Sequence, residues 1–223
     1  MTEAERHYKK MTGTPLARLI ISLGIPTTIS MFVTSIYNMA DTYFVGRLGE
    51  SAQGATGILF TLQAIIQAIS FMLGQGSGTM VAKALADKNE NEASGFASSA
   101  FFTALVAGSL MGLLGALFLK PLLYILGSTD TILPYAMRYG ACVLASCPLV
   151  MMSFVLNNIL RFEGKAYFSM FGLVSGGLLN ILGDYLLVVV FDFGILGAGI
   201  ATAVSQTVSF LILLYFHKKK AHK

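Results

Sequence analysis

The 223-residue chain is 55% hydrophobic and only 12% charged, with a formal net charge of +4. Soluble globular domains carry about 25% charged residues, so this composition excludes one. The positive balance does not point to nucleic acid either, because the basic residues sit in short segments between apolar runs, where membrane topology accounts for them.

The apolar runs are long, unlike the ten-residue alternations of an outer-membrane barrel, so the chain is expected to be an all-α integral membrane protein. Six spans are expected, and the first runs from about Leu16 to Phe44. Within it Pro26, Ser30, Thr34, Tyr37 and Asp41 recur at three- and four-residue steps, giving one polar stripe on an otherwise apolar helix. Lipid does not tolerate such a stripe, so it should face protein or a water-filled cavity. Pro26 lacks an amide hydrogen and should permit a bend in the helix.

The segment from Gly46 to Gly54 marks a turn into the second span, about Ala52 to Val81. Near its end, Gly74-Gln75-Gly76-Ser77-Gly78 resembles a phosphate loop, but no Lys-Ser/Thr follows. It also misses the nucleophile-elbow pattern, and the three histidines, His7, His217 and His222, all lie in the tails. An enzyme is therefore not expected. The polar stretch from Ala84 to Ser94 reads as the end of an amphipathic helix and a loop.

The third span, about Ala97 to Leu119, carries Gly108, Gly112 and Gly115, a spacing that lets helix backbones approach closely. Gly127 marks the next turn. The fourth span, about Ile132 to Leu160, places Ser146, Ser153 and Asn157 on one face. It also holds both cysteines, Cys142 and Cys147, whose spacing is no usual zinc motif and which read as small packing residues.

In the fifth span, about Phe168 to Phe191, Gly172, Gly176, Asn180 and Asp184 repeat every four residues. The sixth, about Ile195 to Phe216, sets Gly199, Thr202, Gln206 and Ser209 on one face. Twelve Lys and Arg residues fall on one side of the predicted membrane, and only Arg47, Lys120 and Arg138 on the other. That asymmetry predicts that both termini are cytoplasmic. No cleavable signal peptide is expected in the polar start.

Only Asp41 and Asp184 among the acids lie inside long apolar stretches, and an ionisable group at membrane depth is a functional-site hypothesis by default. Span direction puts Asp41, Asn180, Asp184 and Thr202 at similar depth in the outer half of the membrane. Carboxylate, amide and hydroxyl oxygens suit a hard cation, so Na⁺ is one expected ligand of these four residues; the same acid pair can instead take up H⁺. Apart from Na⁺ or H⁺ as coupling ion, no cofactor is expected.

With these residues in view, the chain resembles the MATE (multidrug and toxic compound extrusion) family, in its N-terminal six-helix half. The resemblance is carried by Tyr37-Asn38-Met39-Ala40-Asp41-Thr42 through Val45-Gly46-Arg47-Leu48-Gly49, and by Asn157-Asn158-Ile159-Leu160-Arg161-Phe162-Glu163-Gly164. It continues in Leu179-Asn180-Ile181-Leu182-Gly183-Asp184 and Gly197-Ala198-Gly199-Ile200-Ala201-Thr202. It implies a secondary transporter of the plasma membrane that exports organic compounds by antiport with Na⁺ or H⁺ through alternating access; the basic residues, almost all outside the spans, favour cationic or neutral ones. It further implies cation ligands at Asp41, Asn180, Asp184 and Thr202, and a first helix that bends near Pro26. Family members often carry proline after the fifth-span aspartate, whereas here Tyr185 follows Asp184.

The expected organisation is a cytoplasmic segment over 1–15, a transmembrane lobe over 16–216, and a basic tail or inter-lobe linker start over 217–223. The family's twelve helices imply a second six-helix lobe, on a longer chain or from another copy. Met31, Thr34, Tyr37, Tyr139, Ser153 and Asn157 are the candidate substrate-facing residues. Small organic substrates and the lipid bilayer are the expected partners. The alternatives are a flippase for lipids or lipid-linked sugars within the same superfamily, and a non-transporting membrane scaffold.

Overall fold

The computed structural model describes residues 13–221, with side chains up to Lys218. His7, His222 and most of the expected N-terminal segment lie outside the described residues. The described chain is helical: α1 (Leu16–Gly46), α2 (Glu50–Ala86), α3 (Glu90–Leu117), α4 (Leu119–Ile125), α5 (Leu133–Phe162), α6 (Ala166–Asp184) and α7 (Gly194–Ala221). A π-helical segment, Tyr185–Val190, continues α6. All but α4 are long and apolar enough to cross a membrane, α6 together with its π segment. Six crossings bring both ends of the described chain to the same side.

The turns follow local chemistry. Gly49 joins α1 to α2 at φ 115°, a conformation that suits glycine. The stretch from Ala84 to Ser94, expected to hold a helix end and a loop, contains the end of α2 and a loop of only Asp87–Asn89 before α3 begins. The reason is a cap: the Asn89 side chain accepts from the Glu92 amide at 3.2 Å, and Glu92 returns a carboxylate to Asn89 Nδ2 at 2.9 Å. Glu90 and Glu92 thereby occupy the first turn of α3, where acids favour the helix dipole. The third span also stops earlier than its sequence suggests. Pro121 helps begin the separate helix α4, which tucks Leu119 and Leu123 into the core.

At the centre stands α5, whose most apolar window is 61% buried, against 11% for α1. Glycines set its distance from α3. A methyl group built on Gly108 would lie 2.6 Å from Pro148 Cα, and one on Gly112 would lie 2.7 Å from the Leu144 carbonyl oxygen. The two backbones are thus in direct contact, as small residues allow where lipid supplies no hydrophobic drive. Similarly, a methyl group built on Gly176 would lie 2.9 Å from Ser209 Cβ on the α6–α7 seam, and Ser209 donates to the Gly172 carbonyl at 2.9 Å. Both cysteines are free; Cys147 is buried and Cys142 half-buried, each packed as a small apolar residue beside a glycine.

Candidate cation site

The polar stripe of α1 faces inward, with Pro26, Ser30 and Asp41 buried while Ile25, Ile29 and Ile36 face out. Ser30 gives its hydroxyl to the Pro26 carbonyl at 2.8 Å, so it asks for no partner across the bundle. The four-residue repeat of α6 is buried along its whole length: Gly172, Gly176, Asn180 and Asp184. These two faces meet α5 and α7, and four helices contribute to one cluster.

The cluster has a directed hydrogen-bond order. Tyr139 of α5 donates its phenolic hydrogen to Asp41 Oδ2 at 2.7 Å. Its oxygen also lies 3.4 Å from Thr202 Oγ1. A phenol has one hydrogen, already given to Asp41, so at this second contact Thr202 is the donor. Thr202 Oγ1 in turn accepts from Asn180 Nδ2 at 3.2 Å. Donation therefore runs Asn180, Thr202, Tyr139, Asp41.

The Tyr139 and Thr202 hydroxyl hydrogens are both used in that chain, and four acceptor oxygens beside it are left over. Asp41 Oδ1, Asn180 Oδ1 and both carboxylate oxygens of Asp184 are buried without a hydrogen-bond partner. Asp41 is 3% exposed and Asp184 is fully buried. Unpaired buried carboxylates are unfavourable by several kcal/mol each, which a hard cation or a proton relieves. The donor set is all oxygen, fitting Na⁺ and not a soft metal.

A cavity of about 30 Å³ adjoins the cluster, enough for a small ion or about one water. Asp41, Tyr139, Asn180 and Thr202 line it, together with Tyr37, Ser146 and Gln206. Asp184 does not; it lies behind Asn180 one turn along α6. Three amide side chains that the sequence reading did not single out also line it: Asn38 of α1, and Gln63 and Gln67 of α2. The four-residue spacing of Gln63 and Gln67 within an apolar run was the available signal.

Of the candidate substrate-facing residues, Tyr37 and Tyr139 line the cavity, and Met31, Thr34, Ser153 and Asn157 do not. Met31 follows inward-facing Ser30, so a rotation of about 100° turns it outward, and it is 57% exposed. Thr34 gives its hydroxyl to the Ser30 carbonyl at 2.9 Å. Ser153 is buried elsewhere on α5. Asn157 ties α5 to α6 by donating to the Ser169 carbonyl at 3.1 Å, beside Arg161, which donates to Ser169 Oγ at 3.2 Å.

The irregularity after Asp184 is present without proline. The helix widens into π geometry at Tyr185, directly after the acid, a placement common at functional sites. Leu187 supplies part of the reason: a methyl group on Gly197 would lie 2.8 Å from its carbonyl oxygen, so α7 begins tightly against this segment.

Residues 26–186 match the family model described as MatE. The multidrug export protein MepA of Staphylococcus saprophyticus is 26% identical over 202 residues, covering 90% of this chain and 45% of that protein. MepA of Staphylococcus aureus is also 26% identical, covering 92% of this chain and 46% of its own length. The chain thus spans about half the length of the curated relatives it matches. Among solved structures, a MATE transporter in the straight conformation matches with a TM-score of 0.90 and 27% identity, over 100% of this chain and 49% of that one. An outward-facing multidrug resistance MATE transporter of the MOP superfamily gives 0.88 and 27%, over 97% and 47%. Such proteins are transporters and not enzymes. With its six membrane-capable helices, this is a multi-pass plasma-membrane protein, and it belongs to the MatE family.

Proposed function

We propose that this chain forms one lobe of a secondary transporter that exports organic compounds by antiport against Na⁺ or H⁺. One observation carries the reading: four acceptor oxygens on Asp41, Asn180 and Asp184 are buried together without a donor. The ion is held by Asp41 and Asp184, with Asn180 and Thr202 assisting. Filling the site joins α1 to α6 and α7; emptying it leaves two facing carboxylates that favour a different spacing. In α1, Pro26 denies the Ser22 carbonyl its helical donor, so the stretch around it is where α1 bends as the site fills.

The Lys and Arg asymmetry puts both ends of the chain in the cytoplasm and the ion site in the outer half of the bilayer. A cation entering from outside then gains about 2.3 kcal/mol per charge for each 100 mV crossed. The basic residues lie almost entirely outside the spans, which favours cationic or neutral substrates over the anionic head group of a flipped lipid. The segment 16–216 is the transmembrane lobe, and a second six-helix lobe, on the same longer chain or from another copy, completes the substrate path.

Thermal stability in detergent tests the reading, comparing Na⁺ with K⁺ at several pH values for wild type and Asp184→Asn. A ligand that binds only the native state raises stability by RT ln(1 + [L]/Kd). A Na⁺-specific rise lost in Asp184→Asn supports a sodium site here. A pH-dependent rise lost in the variant, with no sodium effect, supports proton coupling. If neither is seen, the site assignment falls. Transport lost in Asp184→Asn, with expression kept, would exclude a scaffold role.

A further inference from the structure

The α6–α7 seam that carries Asn180 and Thr202 also forms an apolar groove of about 460 Å³ nearer the start of α6 and the end of α7. Its walls are Phe171 and Ser175 from α6, and Val208, Leu211, Ile212 and Tyr215 from α7. Phe171, Leu211 and Tyr215 are exposed. Ser175 turns its hydroxyl back onto the Phe171 carbonyl at 2.7 Å, so its polar atom is already satisfied. The Phe168 and Phe216 rings, with centroids 5.0 Å apart, bridge the two helices beside it.

The groove has a charged end. Leu211, Tyr215 and Lys218 follow at i, i+4 and i+7 on one stripe of α7, which puts Lys218 one turn beyond the apolar wall. Lys218 is exposed and makes no ion pair among the described residues. Lys165 lies at the facing end of α6, where it pairs with Glu163 at 2.6 Å within electrostatic reach of His217. Tyr167 and Tyr215 are both exposed at this level, as in an interfacial aromatic belt. An apolar slot without hydrogen-bonding demand, ending at a cation that has no ion pair among the described residues, matches one chain of an anionic amphiphile and not a polar protein surface.

We propose that this groove docks one acyl chain of an anionic phospholipid, with Lys218 beside the net negative charge of its head group. The lipid bridges α6 and α7 along the seam that positions Asn180 and Thr202, so its occupancy stiffens that seam. The proposal stands independently of what the lobe exports.

Thermal unfolding of the purified full chain in detergent, titrated with phosphatidylglycerol or phosphatidylcholine, tests it. Phosphatidylglycerol is expected to give a saturable rise in Tm that phosphatidylcholine does not. Lys218→Gln should raise the half-saturating phosphatidylglycerol concentration roughly fivefold, the worth of one membrane-edge cation, while Lys120→Gln leaves it unchanged. Ser175→Phe fills the slot and should abolish the rise. Equal effects of the two lipids would overturn the proposal, as would a phosphatidylglycerol rise unaltered in Lys218→Gln. So would a Ser175-dependent dimer without a lipid response, which would assign the groove to a second copy.

Discussion

Tyr139 and Asp41 are 98 residues apart in sequence, yet the phenol of one donates to the carboxylate of the other at 2.7 Å. Tyr139 is 1% exposed and sits on α5, the helix at the centre of the bundle. The bond ties the peripheral helix α1 to that centre and decides which Asp41 oxygen stays open. Oδ2 is occupied, and Oδ1 faces the cluster without a donor.

Tyr139→Phe removes that donor while preserving the ring. A hydrogen bond to a charged group contributes roughly 1.5–3 kcal/mol. The variant is therefore expected to fold with a lower Tm and to need a higher cation concentration for the same stabilisation. Titration in detergent reads both. An unchanged cation response would show that Tyr139 only packs.

How much of this was legible in the sequence depends on contrast. Asp184 and Asn180 stand out because a carboxylate and an amide one turn apart are costly in an apolar run. The inward stripe of α1 is legible for the same reason, although Met31, placed among the substrate-facing candidates, lies one step off it. Gln63 and Gln67 were not, because α2 also carries Gln53, Ser70 and Gln75, and polarity alone does not say which face meets the cavity. Tyr139 was legible as a lining residue but not as a partner of Asp41, since no local pattern encodes a contact between the first and fourth spans. The π segment after Asp184 had no proline to announce it; it arises where α7 closes on Leu187. The break before α4 was hidden because Leu119 and Leu123 continue the apolar composition of α3.

Close backbone contact gives a second prediction. Gly112→Ala would place its methyl 2.7 Å from the Leu144 carbonyl oxygen, so α3 must move away from α5. Overpacking of this kind is expected to destabilise by about 1–3 kcal/mol. Gly57→Ala is the control, because nothing lies within 4 Å of a methyl group there. It should be neutral or slightly stabilising, as Ala usually is in a helix. A parallel thermal comparison that found the two variants alike would refute the close α3–α5 approach.

Asn157 separates structure from substrate contact. Its side chain fastens α5 to the Ser169 carbonyl at 3.1 Å and does not line the cavity. Asn157→Ala is expected to lower stability by about 0.5–1.5 kcal/mol through the lost α5–α6 hydrogen bond, partly offset because its own Oδ1 is buried without a partner. It should leave the affinity of any cavity ligand intact, whereas Gln63→Ala and Gln67→Ala should lower affinity at unchanged stability. Ligand-dependent Tm shifts for the three variants distinguish the two patterns.

The sign of the Asp184 effect is the sharpest consequence of the orphaned oxygens. Without a cation, two carboxylate oxygens are buried with no donor, a state that is unfavourable by several kcal/mol. Asp184→Asn removes the charge, so at neutral pH in K⁺ the variant should be more stable than wild type, contrary to most substitutions of a buried residue. Adding Na⁺ should then raise wild type toward or past the variant, with the variant itself unmoved. If acid supplies the relief instead, the two curves should converge as pH falls, at any sodium concentration. A variant less stable than wild type in K⁺ at neutral pH would mean that Asp184 has a partner in the resting lobe, and the ion site would have to be sought elsewhere.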